Sequence, residues 1–160
     1  MKKISRLLLA PAFAMLLSAG CATAPAPKTI ADTAAATPQL STLTKLIREA
    51  GLTETLAGPG PFTVFAPSDE AFKAVPAATL QALMQDKARL KAVLTHHVVP
   101  GTVLAADVKN GPVKTVQGAN LALSRSGTFV TVEDAVVTAA DVNATNGVVH
   151  IIDKVLMPPR

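Results

Sequence analysis

Apolar positions recur in two rhythms along this chain, helical spacing up to about residue 95 and strand alternation beyond it. Leu40, Leu43, Leu46, Ile47 and Ala50 lie three or four residues apart and Gly51 follows as a C-cap, which predicts an amphipathic helix over residues 39–50. A shorter helix is expected over 53–56. Gly58-Pro59-Gly60-Pro61 then breaks the chain ahead of Phe62-Thr63-Val64-Phe65, a buried-strand signal. Pro67 ends that strand and Ser68 is placed to cap a helix whose first turn carries Asp69 and Glu70, where the helix dipole favours negative charge. Phe72 and Val75 would face inward. Two further helices fit, one over residues 77–84 and one opened by Asp86 with Leu90, Val93 and Leu94 on its inner face.

His96-His97-Val98-Val99-Pro100-Gly101 returns the chain to strand and turn. From Val113 onward the pattern alternates through Val116, Leu121, Leu123, Val130, Val132, Val136 and Val137, with breaks expected at Gly111-Pro112, Gln117-Gly118, Ser126-Gly127 and Glu133-Asp134. That spacing suits a small meander or sandwich. The last ordered stretch is Asn146-Gly147-Val148-Val149-His150-Ile151-Ile152-Asp153-Lys154-Val155-Leu156-Met157-Pro158-Pro159: a turn dipeptide, a β-branched run, then a proline pair, which is the grammar of a strand closing the core.

Composition bounds this picture. The 160 residues are 49% hydrophobic and 16% charged, enough for one domain with a real core. Aromatics make up 3%, with no Trp or Tyr, so the chain offers no stacking platform and nucleic acid is excluded as an expected partner. The formal charge of +4 comes largely from the N-terminus, where Lys2, Lys3 and Arg6 precede an apolar run over residues 7–17 and the small residues Ser18-Ala19-Gly20. Such a run is too short to span a bilayer and reads as an export signal over residues 1–20. Without those 20 residues the chain has twelve basic against eleven acidic residues, a formal charge of +1.

The sole cysteine follows that run, and Leu16-Leu17-Ser18-Ala19-Gly20-Cys21 resembles a bacterial lipobox, in which the cysteine is lipidated and becomes the mature N-terminus; Ser18 stands where Leu is usual. The resemblance implies an outer-membrane lipoprotein facing the periplasm or the surface, Ala22 being compatible with export to that membrane. Ordinary cleavage after Ala19, Ala22 or Ala24 would instead leave a soluble periplasmic or secreted protein. Residues 21–37, rich in Ala, Thr and Pro, are expected to form a flexible tether, because such a composition buries too little apolar surface to offset its ordering entropy.

Candidate chemistry is sparse. Asp69 and Glu70 could be a carboxylate pair for acid–base or metal work, but no companion ligands lie near them in sequence and helix-start electrostatics is the preferred reading. His96, His97 and His150 supply imidazoles, yet neighbours on a strand point to opposite faces, so His96 and His97 would not share a ligand sphere. No metal or other cofactor is expected. Ser68 has no histidine beside it, there is no Gly-x-Ser-x-Gly elbow, and Gly58-Pro59-Gly60-Pro61 lacks the amides and the Lys of a phosphate loop. The expectation is a chain that is not an enzyme.

Three motifs carry a family resemblance. Phe62-Thr63-Val64-Phe65-Ala66-Pro67-Ser68-Asp69-Glu70-Ala71-Phe72 resembles the first signature of the fasciclin (FAS1) domain. His96-His97-Val98-Val99-Pro100-Gly101 is similar to its middle motif, with His97 as the matching histidine and His96 where the family usually has an aromatic, and Asn146 to Pro159 resembles its second signature. They occur in family order within residues 38–159. The resemblance implies an α+β fold, a FAS1-like β-sandwich with helices packed on it, helices mostly in the first half and strands in the second. It makes Phe62, Phe65, Pro67, Ser68, Phe72, His97, Pro100, Gly101, Asn146, Gly147, His150, Asp153 and Pro158 parts of a structural motif. It also implies an adhesion or interaction module with a protein, cell-surface or matrix partner, with Asp69, Glu70 and His97 as contact candidates. Some fasciclin-like proteins bind carotenoid- or lipid-like molecules, which gives the alternative expectation of a hydrophobic ligand in a groove.

Overall fold

The computed structural model describes residues 28–158. Helices α1 (Ile30–Ala36), α2 (Ser41–Glu49) and α3 (Thr53–Ala57) come first, with a 3-10 turn over Pro38–Leu40 between α1 and α2. Strand β1 (Phe62–Pro67) follows, then helices α4 (Asp69–Ala74), α5 (Ala77–Gln85) and α6 (Lys87–His96). The rest is strand: β2 (Val98–Pro100), β3 (Gly111–Lys114), β4 (Asn120–Ser126), β5 (Phe129–Val132), β6 (Ala135–Ala144) and β7 (Gly147–Ile152). Helices therefore fill the first half and strands the second, as expected.

The sandwich expectation needs correction. The strands form one seven-stranded sheet in the order β2-β1-β7-β6-β5-β4-β3. β1 and β7 pair in parallel, Phe62 opposite Gly147 through Pro67 opposite Ile152, and the other neighbours are antiparallel. The sheet curls: beyond β3 the Val116 amide donates to the Val98 carbonyl of β2 at 2.8 Å, bringing the two edges together in a barrel-like arrangement. Twist and a shift of register in β6, between Ala139 and Val142, allow the curl.

Two clusters of buried side chains follow from strand alternation. Val64 and Ala66 of β1 and Val149 and Ile151 of β7 face the helices, packing with Ile30, Leu43, Ile47, Leu90 and Leu94. Phe65 and Ile152 face the inside of the curl with Val99, Leu121, Leu123, Val130 and Val132. β1 and β7 are thus buried on both faces, which is why they are near-continuous apolar runs while β4 alternates. Their leading ends approach so closely that a Cβ on Gly147 would collide with the Phe62 carbonyl, and one on Gly60 with the Asn146 carbonyl.

Two local expectations also change. Residues 28–37 are not tether. Thr29 caps α1 and exchanges a capping box with Asp32, while Ile30 and Ala34 are buried, so a stretch poor in large apolar residues is ordered by two apolar side chains one helical turn apart. His96 and His97 are not on a strand: His96 is the last residue of α6 and His97 its C-cap.

Candidate functional site

The residues expected to mark the site are mostly spent inside the fold. His97 is 2% exposed. Its Nδ1 lies 2.7 Å from the Val93 carbonyl and its Nε2 3.0 Å from the Leu156 amide. The Leu156 N–H can only donate, so Nε2 accepts and Nδ1–H donates, which fixes a neutral tautomer. Burial then pushes the pKa down to about 4, with His96 adding to the shift and the Val93 bond opposing it. As a contact residue His97 is therefore corrected: it ties the tail after β7 to the end of α6 and presents no surface to a partner.

His150 is likewise buried, at 1% exposure, and stacks on Phe65, its register partner in β1, with ring centroids 5.5 Å apart. Its Nδ1 accepts from the Asp141 amide at 3.2 Å, so Nε2–H is the donor to the Val103 carbonyl at 2.7 Å. His97 and His150 thus hold opposite tautomers. His96 is fully buried with neither ring nitrogen hydrogen-bonded; burial lowers its pKa, with Glu133 and Gln117 acting the other way.

Asn146 is the most connected side chain of the second signature. Its Oδ1 accepts from the Ile30 amide at 2.9 Å, and its Nδ2 donates to the Leu56 carbonyl at 2.6 Å and the Gly58 carbonyl at 3.0 Å. One turn residue therefore joins α1, α3 and the start of β7. Asp153, at the other end of β7, accepts from the Val136 amide at 2.7 Å and holds β6 in register. Pro158 lies just beyond β7 and lines a groove instead of the core.

Asp69 and Glu70 part company. The Ser41 hydroxyl donates to one Asp69 carboxylate oxygen at 2.7 Å and the Thr42 amide to the other at 2.8 Å. Helix α2 has no side-chain cap of its own, so Asp69, in the first turn of α4, caps it from outside. Burial works to raise the Asp69 pKa, but the bonds from Ser41 and Thr42 outweigh it, Lys73 adds to them, and the carboxyl sits below its ordinary range. Asp69 is thereby a helix cap, whereas Glu70 is exposed and makes no such bond. Ser68 caps α4 as expected, accepting from the Ala71 amide at 3.3 Å.

Two positions escaped the sequence reading. Thr63 is fully buried in β1, donates to the Gly101 carbonyl at 2.7 Å and accepts from the Val103 amide at 2.8 Å, pinning the loop after β2. Asp141, at positive φ in the irregular part of β6, accepts from the Ala105 amide at 2.8 Å. The sequence signal for Thr63 was a lone polar residue inside an apolar run; for Asp141 there was none, because its partner lies 36 residues away.

Among the described residues no three His, Cys, Asp or Glu side chains are grouped so as to hold a metal ion, and no helix is long and apolar enough to cross a membrane. The open features lie elsewhere. Helix α5 buries none of its residues, and a groove of about 720 Å³ runs between α5, α6 and the tail, lined by Leu83, Arg89, Val93, Gln117 and Met157. Phe129, at the β4–β5 hairpin, is 68% exposed. Cys21 and the signal and anchor read from residues 1–27 lie outside the described residues, as do Pro159 and Arg160.

In this helix-capped curled sheet Thr63, His97, His150 and Asn146 hydrogen-bond to backbone and so serve to hold the fold. Comparison with known proteins places it. The family model of the Fasciclin domain matches residues 38–158, and the chain belongs to that family. It is 44% identical over 133 residues to Protein sll1483 of Synechocystis sp., covering 82% of this chain and 74% of that protein. It is 38% identical over 135 residues to the cell surface glycolipoprotein MPB83 of Mycobacterium bovis, covering 81% of this chain and 60% of that one. Its structure is similar to a FAS1 domain pair from the insect cell adhesion molecule Fasciclin I, with a TM-score of 0.63 and 25% identity. That match covers 76% of this chain but only 46% of the pair, in keeping with one domain against two. Fasciclin domains thus occur in cell-adhesion and cell-surface proteins.

Proposed function

We propose that this chain is a non-enzymatic interaction module displayed on a bacterial envelope, anchored by lipid on Cys21 and binding a protein or surface partner. The observation that carries this reading is the internal use of the signature residues: His97, His150, Asn146, Asp153 and Asp69 all hydrogen-bond within the domain, so among the described residues these groups are spent on the fold. The kinship with cell-surface and cell-adhesion proteins supports it. Of the three contact candidates Glu70 remains, and the α5–α6 groove adds an open apolar face beside Arg89.

The alternative, a carotenoid- or lipid-like molecule held in a groove, gains no support from the enclosed cavity, and such a molecule would have to lie in the open α5–α6 groove. The enclosed apolar space between α2, α3, α6 and β1, lined by Leu43, Ile47, Leu56 and Phe62, has a volume of about 30 Å³, room for about one water molecule. A long apolar ligand would have to open it.

The test is a photocrosslinker placed at Glu70, at Leu83 and, as a control, at Asn110, in cells making the full chain. Adducts with one defined partner at Glu70 or Leu83 and none at Asn110 are expected. Equal, diffuse labelling at all three positions would contradict a specific partner.

A further inference from the structure

We propose that the domain cannot invert on the lipid bilayer, so that the β6–β7 turn stays on the lipid side relative to the α4 end of β1 and β7. This rests on the reading of Cys21 as a lipidated residue. The chain joins the folded body at Lys28, whose carbonyl accepts from the Thr145 amide at 3.0 Å and the Thr145 hydroxyl at 3.3 Å. Two residues on, the Ile30 amide donates to Asn146. The attachment point is therefore fixed against the β6–β7 turn. From there β1 and β7 run parallel, six residue pairs from Phe62–Gly147 to Pro67–Ile152, so the two ends of the domain are defined relative to the anchor.

The leash is short. Six residues, 22–27, separate Cys21 from Lys28. A polypeptide spans at most about 3.6 Å per residue, so the attachment point can rise no more than about 25 Å from the modified cysteine. A compact body of about 130 residues has a radius of gyration of about 14 Å and measures about 36 Å across. An inverted domain would hold Lys28 beyond that reach. Had α1 been tether, the leash would extend to about 58 Å and orientation would be free; the capping box of Thr29 and the burial of Ile30 make the difference.

The near end suits a bilayer surface. A shallow cavity of about 590 Å³ there, lined by Pro59, Thr102, Asn143 and Thr145 among others, has no charged residue in its walls. The exposed Lys28 sits beside it and attracts anionic headgroups. Two acids share that end: Asp32, whose carboxylate accepts from the Thr29 amide and hydroxyl, and the exposed Glu54 in the first turn of α3.

The experiment uses the full-length lipidated protein in phosphatidylethanolamine–phosphatidylglycerol vesicles containing a nitroxide-headgroup lipid. Lipidation consumes the only native thiol, so Asn143→Cys or Glu70→Cys accepts a single fluorophore. Both positions are exposed, at the near and far ends respectively. Quenching at position 143 at least threefold stronger than at 70 is expected, and about 20 Gly/Ser residues inserted between Pro27 and Lys28 should erase the difference. Equal or reversed quenching of protein that floats with the vesicles would overturn the orientation alone. A difference undiminished by the insertion would overturn the leash as its cause. Protein that does not float lacks the anchor, which removes the lipid reading and the orientation together.

Discussion

Strands β1 and β7 and helix α5 spend apolar residues in opposite ways. In both strands every residue after the first is buried, and the polar side chains among them, Thr63 and His150, are hydrogen-bonded to backbone. Helix α5 contains Leu80, Leu83 and Met84 yet buries no residue, and Met84 is 45% exposed. Strands β1 and β7 carry five of the motif residues, Phe62, Phe65, Pro67, Gly147 and His150, and Ser68, Asn146 and Asp153 flank them, so those residues report the scaffold. Helix α5 carries none of them and buries no residue, so its outer face can change at little cost to the fold and can carry a protein-specific contact.

Substitutions separate the two regions by magnitude. Phe65→Ala removes a fully buried ring and its stacking on His150 and should cost about 3–5 kcal/mol in urea unfolding. Asn146→Ala strips partners from the Ile30 amide and the Leu56 and Gly58 carbonyls, and a loss of about 3 kcal/mol is expected, with faster hydrogen exchange in α1. A loss below 0.5 kcal/mol, on the scale of ordinary surface substitutions, would break the comparison. Asp69→Ala deletes the cap of α2 and should cost about 1 kcal/mol, within the range for helix caps. Glu70→Lys, one residue on and exposed, should change stability by no more than about 0.5 kcal/mol while reducing partner crosslinking. If the two substitutions at 69 and 70 gave equal losses of stability, the division between scaffold and surface would fail there.

Much of this organisation was legible in the sequence because it is local. Ser68 and Asp86 announced their helices, and Asn146-Gly147 announced β7. What was missed is non-local or compositional. Residues 28–37 look like a tether by composition, although Thr29 and Asp32 have capping-box spacing and Ile30 and Ala34 share a face. His96 and His97 were drawn into a strand by the β-branched pair Val98 and Val99, but α6 runs on to His96. Gly111-Pro112 reads as a break, yet Pro112 sits in β3, the edge strand, where a missing N–H is tolerated. The parallel pairing of β1 with β7, which makes one curled sheet, joins strands 85 positions apart, Phe62 with Gly147, beyond the reach of any local pattern. Similarly, nothing near Asp69 in the sequence indicated that its partners would be Ser41 and Thr42.

The signature histidine carries the central claim, that the motif holds the fold and does not meet the partner. Its folded pKa of about 4 lies below the ordinary 6.5, so the unfolded chain binds the extra proton. The stability His97 contributes is complete above about pH 6.5 and is lost as pH falls toward 4, by about 3 kcal/mol across that window. Burial lowers the His96 pKa too and acts in the same direction. Two-bond ¹H–¹⁵N correlation NMR of the imidazoles, recorded from pH 7.5 down to 5.5, tests this most directly. His97 is predicted to remain neutral throughout as the Nδ1–H tautomer, beside His150 as Nε2–H at pH 7.5. A His97 ring that titrates near 6.5 and averages its two tautomers would be a solvent-exposed ring, and would contradict the account.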